Sequence, residues 1–101
     1  MKTFNEWVAE EEAKNPAFKA ESERLRPLFE FRSALIRARQ DADITQKQLA
    51  QKMGTTQSAI ARLESGTQVP TLDTLLKLTK ALGVDFNLAD GKLSAGPHEA
   101  A

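Results

Sequence analysis

The chain has 101 residues, enough for one compact domain and little more. Hydrophobic residues make up 41% and charged residues 28% of the chain, which is typical of a folded globular protein. No cysteine is present, which excludes disulfides, thiolate metal sites and cysteine nucleophiles. The single histidine, His98, stands in a C-terminal Ser/Gly/Pro/Ala stretch that is poorly suited to a catalytic triad or metal cluster. We therefore expect no enzymatic activity, no cofactor and no bound metal.

Apolar stretches are short throughout the chain. None approaches the roughly 18 residues that a membrane span requires. The first residues are polar and acidic, unlike the basic start and apolar stretch of a signal peptide. These features predict a cytoplasmic protein that has no membrane partner.

Charge is distributed unevenly, although 14 Lys and Arg balance 14 Asp and Glu. Residues 1–29 carry a net charge of −1, residues 30–82 of +3 and residues 83–101 of −2. A basic middle segment would attract a phosphate backbone. A surplus of three positive charges is equally common on an ordinary solvated surface. Charge alone therefore does not distinguish a DNA-binding surface from a solvated one.

Two short, mostly charged helices are predicted in residues 1–29. Thr3 and Glu6 form a capping-box pattern that opens the first helix. Asn15 is the expected N-cap of the second, with Pro16 at its first position and a stop at Pro27. The large apolar residues of these helices are Phe4, Trp7, Val8, Phe18 and Leu25. Helices of this length are marginal alone in water, so the segment has to pack on its own domain or on a partner.

Residues 30–93 show denser helical patterning. Apolar residues at helical spacing predict a helix over residues 30–41. Three further helices are predicted to begin after the N-caps Thr45, Thr56 and Thr71 and to end near Met53, Ser65 and Gly83. Residues 84–93 are predicted to form either a short strand or a weak helix, and residues 94–101 a flexible tail. The predicted inner faces contain Phe31, Leu35, Ala38, Leu49, Ala50, Met53, Ile60, Leu63, Leu72, Leu75, Leu76, Leu78 and Leu82.

The stretch QKQLAQKMGTTQSAIARL, residues 46–63, has the spacing of a helix-turn-helix. Ala50 is small enough for two helix backbones to approach, and Gly54 tolerates the positive φ of the turn. Ile60 and Leu63 face inward on the second helix. The residues left outside are Gln57, Ser58, Ala61 and Arg62. An unrelated helical hairpin is the alternative interpretation.

Residues 30–84 resemble the XRE/Cro, lambda-repressor-like helix-turn-helix domain, above all in AQKMGTTQSAIARLESG. The resemblance implies an all-α, five-helix domain in residues 30–93, preceded here by a helical extension. It implies that Gln46 contacts phosphate and supports Gln57, while Gln57, Ser58 and Arg62 face base edges. In the major groove a glutamine side chain can form two hydrogen bonds with adenine, and an arginine side chain can form two with guanine. The full DNA-binding set that we predict is Gln46, Thr56, Gln57, Ser58, Ala61 and Arg62.

The same resemblance implies a structural ion pair. In this family an arginine late in the first helix pairs with the glutamate that ends the third, and Arg39 and Glu64 occupy these places. We expect this pair to fix helix packing rather than to contact DNA. Asp43 departs from the family pattern, because the turn after the first helix often has glycine there. Aspartate adopts the left-handed conformation at modest cost, so the departure affects only the local turn.

Residues 1–29, including NPAFKAESERLRPLFEF across the boundary, resemble the N-terminal extension of HigA-type antitoxins. The resemblance implies a protein that neutralises a HigB-type, RelE-fold endoribonuclease toxin and represses its own operon. We predict that the toxin-binding anchors are Phe4, Trp7, Val8, Phe18 and Leu25. The glutamates at positions 10–12, 21 and 23 would suit a basic ribonuclease surface. The alternative is that these apolar residues simply fold back on the domain.

Three other functions compete with a dimeric DNA-binding antitoxin. The chain could be a free-standing phage-type repressor without a toxin partner, or an interaction module with a degenerate motif. The outward planar groups of Gln57 and Arg62 favour DNA reading over the interaction module. An enzyme is disfavoured because no acidic residue is paired with a base in a recognisable arrangement. We predict a homodimer on a pseudo-palindromic double-stranded operator, with the Thr71–Leu82 helix and residues 84–88 as the candidate dimer surface.

Overall fold

The computed structural model describes residues 1–89 and 92–98. The helices are α1 (Phe4–Lys14), α2 (Pro16–Asp41), α3 (Gln46–Met53), α4 (Gln57–Ser65) and α5 (Leu72–Leu82), and the strands are β1 (Val84–Ala89) and β2 (Lys92–Pro97). The predicted all-α class is confirmed, with one small hairpin at the C-terminal end. Across the described ranges, no helix is both long and apolar enough to cross a membrane.

Side-chain caps set where the helices begin. Each of the five predicted N-cap residues accepts a hydrogen bond from a backbone N–H of the first turn, as expected for Thr and Asn at this position. At Thr45 the capping box is complete, because Gln48 also returns its side chain to the Thr45 N–H at 2.8 Å. The helix starts predicted at these five caps are therefore confirmed, whereas the separate start predicted at residue 30 is wrong because α2 runs through it.

The predicted helix stop at Pro27 is wrong. Helix α2 runs without a break for 26 residues and contains Pro27 in its interior. Proline removes one N–H donor and disfavours helix locally, but packing on both sides of it offsets this cost. On one side Arg26 donates to Glu12 of α1 at 3.1 Å, and on the other Phe31 and Leu35 enter the core. The extension and the domain thus share one continuous helix, and the boundary at residues 29/30 remains a proposal.

The core lies where α2, α3, α4 and α5 meet. Leu35, Leu49, Ile60 and Leu78 are fully buried. Phe31, Ala50 and Leu63 complete the buried cluster. Side chains that pack partly buried against it are Ile44, Met53, Leu75, Ala81, Leu82, Phe86 and Leu93. The broad leucine stripe predicted for α5 is only partly inward, because Leu72 and Leu76 are 72% and 60% exposed.

The C-terminal segment forms an antiparallel hairpin, with Val84 opposite Pro97. Of the two possibilities left open for residues 84–93, strand is the one found for residues 84–89 and 92–93. The predicted flexible tail is wrong for residues 94–97, which belong to β2, while residues 99–101 lie outside the described ranges. Long-range contacts hold the hairpin: Glu30 of α2 accepts the Leu93 N–H at 2.7 Å, and the Phe86 ring lies 5.7 Å from that of Phe31.

Candidate nucleic-acid interface

The α3–α4 crossing has the geometry that the sequence predicts. Ala50 is 3% exposed, and its small side chain permits the close approach of the two helices. Gly54 ends α3 in the left-handed conformation at φ 69°, which a residue with a Cβ adopts only with strain. The Thr55 N–H then donates to the Ala50 carbonyl at 2.9 Å and closes the turn. Asp43, before α3, also adopts a positive φ of 55°.

Helix α4 is held against α2 by two arginines. Arg39 donates from Nε and Nη2 to the two carboxylate oxygens of Glu64, at 2.8 and 2.9 Å, and from Nη1 to the Ile44 carbonyl at 3.0 Å. The hydrogen bonds to Glu64 raise the pKa of Arg39 above its ordinary value. Arg32, two helical turns earlier, donates to the Glu64 backbone carbonyl at 2.6 Å. Arg32 is not among the residues predicted from the sequence, although its seven-residue separation from Arg39 places both on one face of α2.

The outer face of α4 presents the predicted base-contacting residues to solvent. Gln57 and Ser58, in the first turn, and Arg62, one turn later, are exposed, while Ala61 is half-buried. Thr56 is exposed, but its hydroxyl accepts the Ala59 N–H at 3.1 Å and serves as the N-cap. On the opposite face of the helix, Ile60, Leu63 and Glu64 are buried. The arrangement fixes the helix from one side and leaves a polar strip on the other.

Gln46 is half-buried at the first position of α3, immediately after the N-cap Thr45. The free backbone N–H groups of a helix N-terminus favour an anion such as a DNA phosphate. This position agrees with the phosphate contact that the resemblance implies for Gln46. The contact itself remains a prediction.

A helix-turn-helix family model matches residues 35–88, just over half of the 101-residue chain. The chain belongs to the helix-turn-helix family. The match runs from within α2 into β1, so it contains both the crossing and the Arg39–Glu64 pair. The predicted XRE-type, lambda-repressor-like helix-turn-helix domain, a class of domain that binds DNA, is thereby confirmed.

One curated relative is 51% identical over 54 residues, an "Uncharacterized HTH-type transcriptional regulator" of Haemophilus influenzae. The alignment covers 54% of this chain and 55% of the relative, so the chain spans about half the length of the protein that it matches. No solved structure matches the chain.

A second surface lies between the N-terminal helices and the C-terminal hairpin. Helix α1 packs against the N-terminal part of α2, with the Trp7 ring edge-on to that of Phe18 at 5.9 Å between centroids. An open groove of about 1380 Å³ separates this pair of helices from the C-terminal hairpin. All five predicted toxin anchors line the groove, and Val84, Leu93 and Pro97 face them from the hairpin. Phe4 and Trp7 remain 70% and 47% exposed.

The acidic residues of the extension are mostly paired within the extension itself. The ion pairs are Lys2 with Glu10, Lys19 with Glu23, Arg24 with Glu21 and Arg26 with Glu12. The hydrogen bond from Arg24 lowers the pKa of Glu21 below its ordinary value. A basic partner would have to compete with these ion pairs for the glutamates, and the predicted contact of the glutamates with such a partner remains a prediction.

Proposed function

We propose that this protein is a sequence-specific DNA-binding transcriptional regulator. The observation that carries the proposal is the placement of Gln57, Ser58 and Arg62 on one exposed strip of α4, whose opposite face is locked into the core. Gln57 would pair with adenine N6 and N7, and Arg62 with guanine O6 and N7. Gln46 and the backbone around Thr56 would hold phosphates and set the register of the helix in the major groove.

We propose further that the protein binds its operator as a homodimer. One recognition helix contacts too few base pairs for useful specificity, so two are needed about one helical turn apart. Leu72 and Leu76 of α5 and Leu88 of β1 are large apolar residues that the chain leaves exposed. They lie within the segment that the sequence analysis selected for dimer contact. Their burial in a two-fold interface would support this arrangement.

Selection of bound sequences from a randomised DNA library tests both statements. The expected product is a pseudo-palindrome with half-site centres about 10 base pairs apart. A quantitative control is the affinity for unrelated DNA at the same salt concentration, because phosphate contacts alone give salt-dependent, sequence-independent binding. A library without sequence enrichment would contradict specific binding, and enrichment of a single asymmetric half-site would contradict the dimer.

We also propose the finer function that the HigA-type resemblance of residues 1–29 implies, which is neutralisation of a HigB/RelE-type endoribonuclease and repression of the shared operon. The supporting observation is that Phe4, Trp7, Val8, Phe18 and Leu25 line one groove and are separate from the core cluster. A few aromatic anchors in a groove supply most of the free energy of many protein–protein interfaces. An apolar element of the toxin would fill the groove.

Growth rescue in cells that express the neighbouring toxin gene tests this function. The double variant Trp7→Gln/Phe18→Gln of the full chain should lose rescue, because it removes two anchors from the groove. The matched control is Val69→Gln, at an exposed apolar residue that is not part of the groove lining. Rescue by the double variant equal to that of the control would contradict toxin binding through the groove. The absence of any neighbouring toxin gene would favour a free-standing repressor.

A further inference from the structure

The loop that follows α4 is tied to the backbone of Arg62. The Arg62 carbonyl accepts hydrogen bonds from the Ser65 hydroxyl at 2.9 Å and the Thr67 hydroxyl at 3.3 Å. The Thr67 N–H also donates to it at 3.4 Å. The Ser65 and Thr67 hydroxyls also lie 2.9 Å apart, and because each has one hydrogen, a hydrogen bond between them takes the place of one of the two to the carbonyl. This network places the next residue, Gln68, beside the Arg62 side chain.

Gln68 contacts the guanidinium of Arg62 directly. Arg62 Nε donates to the Gln68 side-chain oxygen at 3.3 Å. On its other side, Gln68 borders a small cavity of about 150 Å³ together with Met53, Ile60 and Lys77, so it stands between the turn, α4 and α5. Two sets of contacts therefore converge on Arg62, one at its carbonyl and one at its side chain.

We propose that Gln68 is a positioning residue that orients Arg62 for base recognition. The proposal rests on the proposed DNA-reading role of Arg62. A guanidinium has five N–H donors, and only the one on Nε is bonded to Gln68. The four N–H groups on the two terminal nitrogens remain available to bind DNA. Those terminal nitrogens form an end-on fork that matches guanine O6 and N7. If the Arg62 side chain is already oriented in the free protein, it loses less conformational entropy when it binds DNA. The smaller entropy loss favours both affinity and discrimination between bases.

The contact can first be measured without DNA, from the ¹⁵N resonance and proton exchange of Arg62 Nε–H. In the wild type we expect slower exchange than at the exposed Arg37, and the difference should vanish in Gln68→Met. Methionine keeps the approximate length of glutamine and removes the oxygen acceptor. Equal exchange in wild type and Gln68→Met would overturn the proposal, since the hydrogen bond would then be absent in solution.

The effect of Gln68 on base discrimination can be measured by competition binding with operators that differ at single base pairs. Gln68→Met should lower discrimination at one base pair by roughly two- to tenfold, the range of one net hydrogen bond, without changing the melting temperature. Gln68→Glu, which retains an acceptor, should preserve discrimination, and Gln40→Met, at an exposed residue at the end of α2, should behave as wild type. In the Arg62→Ala background, Gln68→Met should have no further effect.

Two results would contradict the inference while leaving the proposed function intact. If Arg62→Ala abolishes discrimination and Gln68→Met does not change it, Arg62 reads DNA without help from Gln68. If Gln68→Met weakens all sites equally and does so again in the Arg62→Ala background, Gln68 contacts DNA independently. If Arg62→Ala itself leaves discrimination unchanged, both the reading role of Arg62 and the inference fail.

Discussion

Replacing Arg39 with alanine should destabilise the fold more than any other single arginine truncation on α2. The Arg39 side chain is 17% exposed and that of Glu64 is 6% exposed, so the pair lies largely out of water. The substitution removes two hydrogen bonds to the carboxylate and one to the Ile44 carbonyl. A buried charge that loses its partner costs about 3–5 kcal/mol, and the partial exposure of Arg39 favours the lower end, near 3 kcal/mol.

Thermal unfolding followed by circular dichroism measures this effect. A change of about 3 kcal/mol corresponds to a fall in melting temperature of about 12 °C or more for a chain of this size. The matched control is Arg37→Ala, at an exposed position on the same helix, which should change stability by no more than about 0.5 kcal/mol. The double variant Arg39→Met/Glu64→Leu should recover most of the loss, because it leaves no unpaired charge. Equal melting temperatures for Arg39→Ala and Arg37→Ala would refute the structural role of the pair.

Three further predictions concern the dimer, the long helix and the helix crossing. Leu76→Gln should shift the protein from dimer to monomer in analytical ultracentrifugation, while Arg37→Gln, at an exposed residue of α2 outside the proposed interface, should not; an unchanged dimer in Leu76→Gln would remove α5 from the interface. Pro27→Ala should raise helicity and stabilise the protein by up to about 3 kcal/mol, because it restores a helix-interior donor; a loss of stability would mean that packing depends on the proline. Ala50→Leu should destabilise the fold by about 1–3 kcal/mol through overpacking, and unchanged stability would contradict close helix approach at this residue.

The parts of the fold that depend on near neighbours in sequence were predictable. The starts of α3, α4 and α5 follow from Thr45, Thr56 and Thr71, whose hydroxyls bond to N–H groups three residues away. The turn follows from Gly54, because its conformation is a property of the residue itself. Periodicity likewise identified most of the core.

The errors arise where distant contacts outweigh local preference. Pro27 is a helix breaker by local rules, but α1 on one side and the core on the other keep α2 continuous. Strand β2 contains Gly96 and Pro97, residues with low strand preference. It forms because β1 pairs with it and Glu30 caps the Leu93 N–H. Contacts across 63 residues leave no periodic signal in the sequence.

For the candidate interface, the outward residues of α4 could be named from helical spacing alone. Spacing places Arg32 on the same face of α2 as Arg39, but the contacts that support α4 could not be predicted, because Arg32 bonds to a backbone carbonyl and Gln68 lies in the loop after α4. Neither contact has a fixed sequence spacing. The partners of the acidic residues could not be predicted for a similar reason, since the lysines and arginines that pair with them lie up to 14 residues away.

Whether the exposed strip of α4 recognises DNA sequence can be measured from the binding of Arg62→Ala to operators that differ at single base pairs. With Arg37→Ala as the control, the affinity of each variant is measured on the selected operator and on every single base-pair change. Arg62→Ala should lose about 1–3 kcal/mol on the preferred operator and become indifferent to one base pair per half-site, while Arg37→Ala should retain the wild-type preference. A uniform loss across all sequences, or none, would contradict base recognition by Arg62.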